Sequence, residues 1–255
     1  MTAGAARTAP RPSPWRELAV PALATLLMAG FLVGLGLWQL QRLAWKEALI
    51  REIGERTAAA AVSLPPRSAW ASLKTDDYDY RRVLATGTFD HAGEVHVFRP
   101  LGDARGPYHG VGDLVLTPFR LASRGTVIVN RGFVPSDRVD PATRSSGQIG
   151  GEVTITGLMR EPEGRNAFTP ADDPAHGEWF TRDPDAIARV LRLTDAAPFT
   201  LDEDAAAVPG GLPQGGETIL DIPNDHLSYA LTWFGLAAGL VGVFAVYAWR
   251  RTRGA

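Results

Sequence analysis

Two long stretches without a formal charge constrain this chain more than any other feature. They run from Leu18 to Gln41 and from Leu227 to Trp249, against the roughly 20 apolar residues that carry a helix across a bilayer. The first, LAVPALATLLMAGFLVGLGLWQLQ, begins after Trp15, Arg16 and Glu17 and holds its proline, Pro21, in the opening turn, where a helix tolerates it. A cleaved signal peptide would have a shorter apolar core ending at a small-residue cleavage site. Here the run ends in Trp38, Gln39 and Arg42, and an uncleaved anchor is expected. The second run ends at Arg250, Arg251 and Arg253 and carries Gly235, Gly239 and Gly242 at near-helical spacing. Those glycines either let another helix approach closely or reflect the general frequency of glycine in membrane helices.

Charge placement sets the expected orientation. Arg7, Arg11 and Arg16 precede the first run with a single acid beside them, and three arginines without an acid follow the second. Short arginine-rich flanks stay cytoplasmic while long loops are translocated. The reading is a cytoplasmic tail over 1–17, transmembrane helix 1 over 18–41 and a periplasmic β-rich domain over 42–225. Transmembrane helix 2 over 226–249 and a second cytoplasmic tail over 250–255 complete it, in a bacterial inner membrane. The amino-terminal tail shares arginine enrichment with mitochondrial transit peptides, but it is short and rich in proline.

Between the spans, Leu40–Val62 has helical periodicity, with Leu43, Leu49, Ile50 and Ile53 near one face, and Pro65–Pro66 ends it. Short β-type segments then alternate with turn residues: 80–89, 94–99, 112–120, 126–134, 152–160, 179–181, 199–202 and 218–221. One helix is expected from Asp183 and Pro184 to about Leu193, and 202–216 reads as a mobile loop. The fold class is a membrane protein: two transmembrane α-helices flanking a mainly antiparallel β (α+β) domain, with the strands arranged as a partly closed barrel.

Composition narrows the chemistry. Twenty-six basic residues face 28 acidic ones, which gives no electrostatic footprint for nucleic acid. The absence of cysteine removes thiol catalysis and thiolate metal sites. No phosphate loop, nucleophile elbow, zinc-protease motif or dinucleotide fingerprint is present, so no catalytic residue is assigned and the chain does not read as an enzyme. The acidic clusters 76–79 and 172–173 read as solvated turns. His91, His96, His109 and His176 are scattered through the β-rich region, whereas His226 stands at the outer mouth of the second span.

His226, Tyr229 and Trp233 share a helical face by their i, i+3, i+7 spacing, and Trp38, Arg42 and Trp45 recur similarly at the outer end of the first span, with Lys46 alongside. One reading is an interfacial belt of aromatic rings and snorkelling cations. The other is a porphyrin site in which His226 supplies an imidazole to haem iron, the aromatic rings flank the macrocycle, and Arg42 and Lys46 pair with its propionates.

The segments LGLWQLQRLAWK (35–46), YRRVLATGTFD (80–90), VNRGFVP (129–135), GLMREPEGRNAFTPADDP (157–174) and PNDHLSYALTWFGLA (223–237) together resemble the Surf1 family (Shy1 in yeast) of cytochrome c oxidase assembly proteins, over nearly the whole chain. The resemblance implies an assembly factor acting where haem a reaches subunit I of a haem-copper oxidase, with His226 as the favoured haem ligand. It implies the oxidase subunit and the haem a synthesis machinery as partners, alongside the lipid bilayer. Asp225 stands where the resemblance leads one to expect Asn; its carboxylate would either orient the imidazole or repel a propionate. Two further readings stay open: a haem-free scaffold that stabilises an oxidase intermediate, and a membrane-tethered enzyme.

Overall fold

A computed structural model of the chain describes residues 14–218, 220 and 222–253. Two helices dominate its ends. α1 (Pro14–Ala58) continues without interruption past the first apolar run, and α4 (His226–Arg253) contains the second. Both are long and apolar enough to cross a membrane, and both leave many of their large apolar side chains uncovered by protein: Val20, Leu26 and Phe31 on α1, Leu231 and Val243 on α4 are all more than 60% exposed. A water-soluble fold would bury such a surface; a bilayer solvates it. The chain separates into two compact units, α1 up to Arg51 with α4 in one and Glu52–Leu220 in the other.

Within the helix unit, contacts at three levels make α1 and α4 antiparallel neighbours. His226 meets Gln39, Phe234 meets Gly36, and Arg251 near the end of α4 pairs with Glu17 near the start of α1. The close approach rests on Gly36, where an added Cβ would lie 2.5 Å from the Phe234 ring. The three glycines of α4 face open space instead, with nothing within 4 Å of a Cβ added at Gly235, Gly239 or Gly242. The small residues that α4 does bury are Ala230 and Ala237.

The second unit is a seven-stranded sheet closed on itself. Its strands are β1 (Val62–Ser63), β2 (Arg82–Phe89), β3 (Val95–Phe98), β4 (Gly112–Leu121), β5 (Thr126–Pro135), β6 (Val153–Arg160) and β7 (Ala196–Glu203). The order is β1-β2-β6-β7-β5-β4-β3, and β2 also pairs with β4. That last pairing closes a five-stranded barrel from β2, β6, β7, β5 and β4. Counted in chain order, barrel neighbours run 1-2-3-5-4 and back to 1, with the third and fifth strands parallel and the other pairs antiparallel. This is the Greek-key arrangement of an OB-type barrel, an architecture that hosts unrelated functions. Closure depends on Gly87: any Cβ there would collide with the Arg120 carbonyl across the β2–β4 seam.

Alternation decides which face of each strand points inward. Val83, Ala85, Phe119, Val127, Val129, Phe199 and Leu201 fill the barrel, with Trp70 and with Tyr78 of the short helix α2 (Thr75–Tyr78) packed in the same cluster. Ile128 and Phe133 on β5 join β3 and Ile187 of α3 (Pro184–Val190) in a second cluster. β5 is therefore buried along nearly its entire length, the polar Asn130 and Arg131 included, as a strand covered on both faces is.

Six expected strands and the short helix are present within a few residues of their expected ends. The segment 179–181 is only an isolated bridge from Trp179 to Val97. Thr218 and Leu220 are not in strand, and positions 219 and 221 lie outside the described residues. The expectation of a mobile loop over 202–216 is corrected: Asp202 and Glu203 complete β7, Leu212 is 4% exposed, and Phe133 exchanges backbone hydrogen bonds with Gln214 at 2.9 Å. Gly132, at φ +118°, makes that docking possible, since a Cβ there would strike the Gln214 backbone.

Candidate functional site

The residues that carry usable chemistry in the helix unit gather at the start of α4. Pro223 lacks an amide hydrogen, and Asn224 and Asp225 are residue types that favour helix entry over helix interior. The first helical turn is closed by the Tyr229 N–H on the Asp225 carbonyl at 3.1 Å. His226 consequently sits at the first position of the helix, half-buried, and its Nδ1 lies 2.7 Å from the Gln39 side-chain amide oxygen Oε1. An amide oxygen only accepts, so Nδ1 is the donor of this bond, and the neutral imidazole in that tautomer has its lone pair on Nε2. Nε2 has no partner among the described residues. An imidazole oriented through one nitrogen by a neutral carbonyl, with the other nitrogen open, has the form of a metal-ligating histidine.

Gln39 was absent from the set of residues singled out in the sequence. It lies within the first uncharged run and is only 9% exposed. A signal existed: a primary amide inside an apolar span is costly unless it is bonded, and marks a polar contact between helices.

The other expected site residues fall around this pair in different ways. Arg42 and Lys46 follow Gln39 by three and seven positions on α1, which puts them on its face of the helix. The Arg42 guanidinium lies 4.4 Å from the centre of the Trp45 ring. Trp38, Trp45 and Tyr229 are each about half exposed, at 51, 53 and 56%, and Trp233 is half-buried. Among the described residues the only direct hydrogen bond between the two helices at this level is His226 to Gln39, and the four aromatic rings are not packed on one another. Asp225 is exposed, and the buried Asn224 Oδ1 beside it has no partner among the described residues.

The barrel unit holds its polar groups differently. Glu94 accepts from Arg144 at both carboxylate oxygens and lies 2.7 Å from His96 Nε2, all three nearly or largely buried. Burial alone would raise the Glu94 pKa, but the hydrogen bonds from His96 and Arg144 and the Arg144 charge outweigh it and bring it down to about 2. Asp202, also buried, takes Arg182 through both oxygens, at 2.8 and 3.0 Å, with Asn130 at 2.9 Å and Thr218 at 2.9 Å. Glu203 is the exception. Its carboxyl group has no hydrogen bond among the described residues, burial pushes its pKa up to about 7, and the Arg131 charge only partly opposes that. It borders a cleft of roughly 500 Å³ with Arg82, Asp204, Gln214 and Glu217. Arg131 itself is buried against the Phe89 ring and donates to the Gly147 carbonyl at 2.6 Å.

Among the described residues no group of three His, Cys, Asp or Glu could hold a metal ion. His91 is bonded to the Ile149 carbonyl at 2.9 Å and His176 to Asp173 at 2.7 Å, so with His96 these imidazoles are separately committed.

The sequence profile described as the SURF1 family matches residues 26–238, a span that contains both the Gln39–His226 pair and the whole barrel. Surfeit locus protein 1 of Homo sapiens is 40% identical over 217 residues, covering 80% of this chain and 70% of the human protein. Surfeit locus protein 1 of Mus musculus is 37% identical over 234 residues, covering 88% and 72% respectively. The SURF1-like protein of Drosophila melanogaster is 37% identical over 230 residues, covering 84% and 72%. A profile match of that extent, with relatives at this identity along most of both chains, makes the chain a member of the SURF1 family.

Proposed function

We propose that this protein is an assembly factor for a haem-copper cytochrome c oxidase that holds haem a at the outer end of its two helices and assists its insertion into subunit I. The observation that carries the reading is the Gln39–His226 bond, which fixes the imidazole and leaves Nε2 open. Haem a, when bound, supplies an iron that accepts a nitrogen ligand and two propionates that seek cations. His226 Nε2 would take the iron, Arg42 and Lys46 the propionates, and Trp38, Trp45, Tyr229 and Trp233 the apolar ring edge. His226 is the sole histidine of the helix unit. The same reading puts the barrel on the periplasmic side of an inner membrane and both termini in the cytoplasm. It gives the chain no catalytic step, and names the haem a synthesis machinery as donor and subunit I as acceptor.

A second reading, a haem-free scaffold that stabilises an oxidase intermediate, is supported by the size of the barrel unit. An absorption spectrum separates them. The protein purified from membranes of cells that make haem a is expected to carry a stoichiometric haem band, and His226→Ala to lose it at equal yield. If neither carries haem while deletion still impairs oxidase maturation, the scaffold reading replaces the first.

A further inference from the structure

The loop between β6 and α3 carries an apolar side chain that nothing in the barrel uses. Phe168 is 95% exposed, more than any other large apolar residue of the described chain. The next most exposed, Val20, Val243 and Leu26, lie on the membrane-spanning helices, where lipid covers them. In the barrel unit the nearest comparison is Val111 at 61%.

Looseness does not explain this exposure. The Phe168 N–H is held by Asn166 Oδ1 at 2.8 Å, and the Thr169 N–H by the Asn166 carbonyl at 3.1 Å. Arg165 bonds Asp172 at 2.6 Å and also the Pro170 carbonyl, clamping the two limbs of the loop. Asp172 in turn accepts from the Phe180 N–H at 2.7 Å and from Thr181 at 3.0 Å. The returning limb is anchored by Trp179, which is buried and whose carbonyl accepts from the Phe98 N–H at 2.8 Å. A preformed loop that displays one fully solvated aromatic ring matches the anchor residue of a protein interface, where a ring enters a pocket without first losing loop entropy.

Charge selects the partner. Residues 161–185 hold seven acids and two arginines, and both arginines are committed to carboxylates of this same region or of β7. Glu161 and Glu178 are exposed. An anionic lipid surface would be repelled by this flank, as would the same loop of a second copy. We propose that Phe168 is the anchor of a docking surface for a protein partner that offers an apolar pocket rimmed by lysine or arginine.

The test uses the full-length chain in its native membranes, with the photoreactive benzoyl-phenylalanine placed at position 168 or, as control, at 111. The expected result is a discrete protein adduct from 168 and not from 111. Its yield should fall severalfold in high salt and with Glu161→Lys plus Glu178→Lys, neither of which has a side-chain partner among the described residues. In the unlabelled protein, Phe168→Ala should weaken that same association by about 10–30-fold while leaving the barrel folded. Adducts to lipid, no adduct, an equal adduct from 111, or one indifferent to salt and charge reversal would each overturn the proposal. The experiment makes no use of haem, so its failure leaves the haem reading standing.

Discussion

The helix pair and the barrel solve the problem of buried polar groups in opposite ways. In the barrel, charges come in sets: Arg144 with Glu94 and His96, Arg182 and Asn130 with Asp202. Each set ties together strands and loops far apart in sequence, and each would be expensive to leave half-made. Between α1 and α4 the polar bonding among the described residues reduces to one hydrogen-bonded pair at one end, His226–Gln39, and one exposed ion pair at the other, Arg251–Glu17. The rest is apolar surface with a notch at Gly36 for the Phe234 ring. The barrel's polar groups thus carry specificity of fold, while the helix pair holds a single half-buried imidazole, the group on which the haem proposal rests. Substitutions in the two regions should therefore fail in different ways.

The sharpest contrast is between His226 and Arg144. His226→Ala should abolish haem retention with the near-ultraviolet circular dichroism of the barrel unchanged. Arg144→Met should leave Glu94 buried without its guanidinium and destabilise the barrel by about 3–5 kcal/mol, read as a lower midpoint in thermal unfolding. If Arg144→Met unfolds nothing but removes haem, the division of labour drawn between the regions is wrong. Gln39→Leu is the intermediate case. It keeps the ligand but removes its orienting carbonyl, and a loss of about 10–100-fold in haem affinity is expected. An unchanged affinity would mean that the imidazole is held by something other than this bond.

The smallest effect concerns pH. The Glu203 carboxyl is raised to about 7 by burial, so the folded protein binds a proton that the unfolded chain releases near its ordinary value of 4.5. Stability from this group is greatest below the lower value and declines as pH rises through 7. Glu94, brought down to about 2, acts in the opposite sense: its contribution is present above about 4.5 and is lost as pH falls toward 2. Glu203→Gln should flatten the decline between pH 4.5 and 7, a change on the order of 1–3 kcal/mol. Denaturant midpoints across that range check it; a parallel shift at every pH would show that the carboxyl titrates normally.

Much of this was legible in the sequence. The uncharged runs and the alternation in TVIVN and VTITG are local patterns, because membrane span and strand alternation are set by residues near one another. Their reading survives into α1, α4, β5 and β6. The loop over 202–216 failed that test for a physical reason. Glycine and proline announce a turn, but whether the turn packs depends on a distant surface, here the Phe133–Gln214 backbone pair admitted by Gly132. The site residues divide in the same way. His226 was conspicuous as a lone imidazole beside a span, whereas Gln39 became visible only when the other helix supplied its partner.

By itself, then, the sequence determined the two helices, the strand-rich domain between them and the place of His226 at the start of the second, since each follows from periodicity or charge within a few turns of chain. Only tertiary structure decided the barrel's closure through β2 and β4, the pairing of His226 with Gln39, and the display of Phe168 on a hydrogen-bonded loop. Each of these depends on which groups the folded chain brings together or leaves uncovered, and local patterning places no constraint on that.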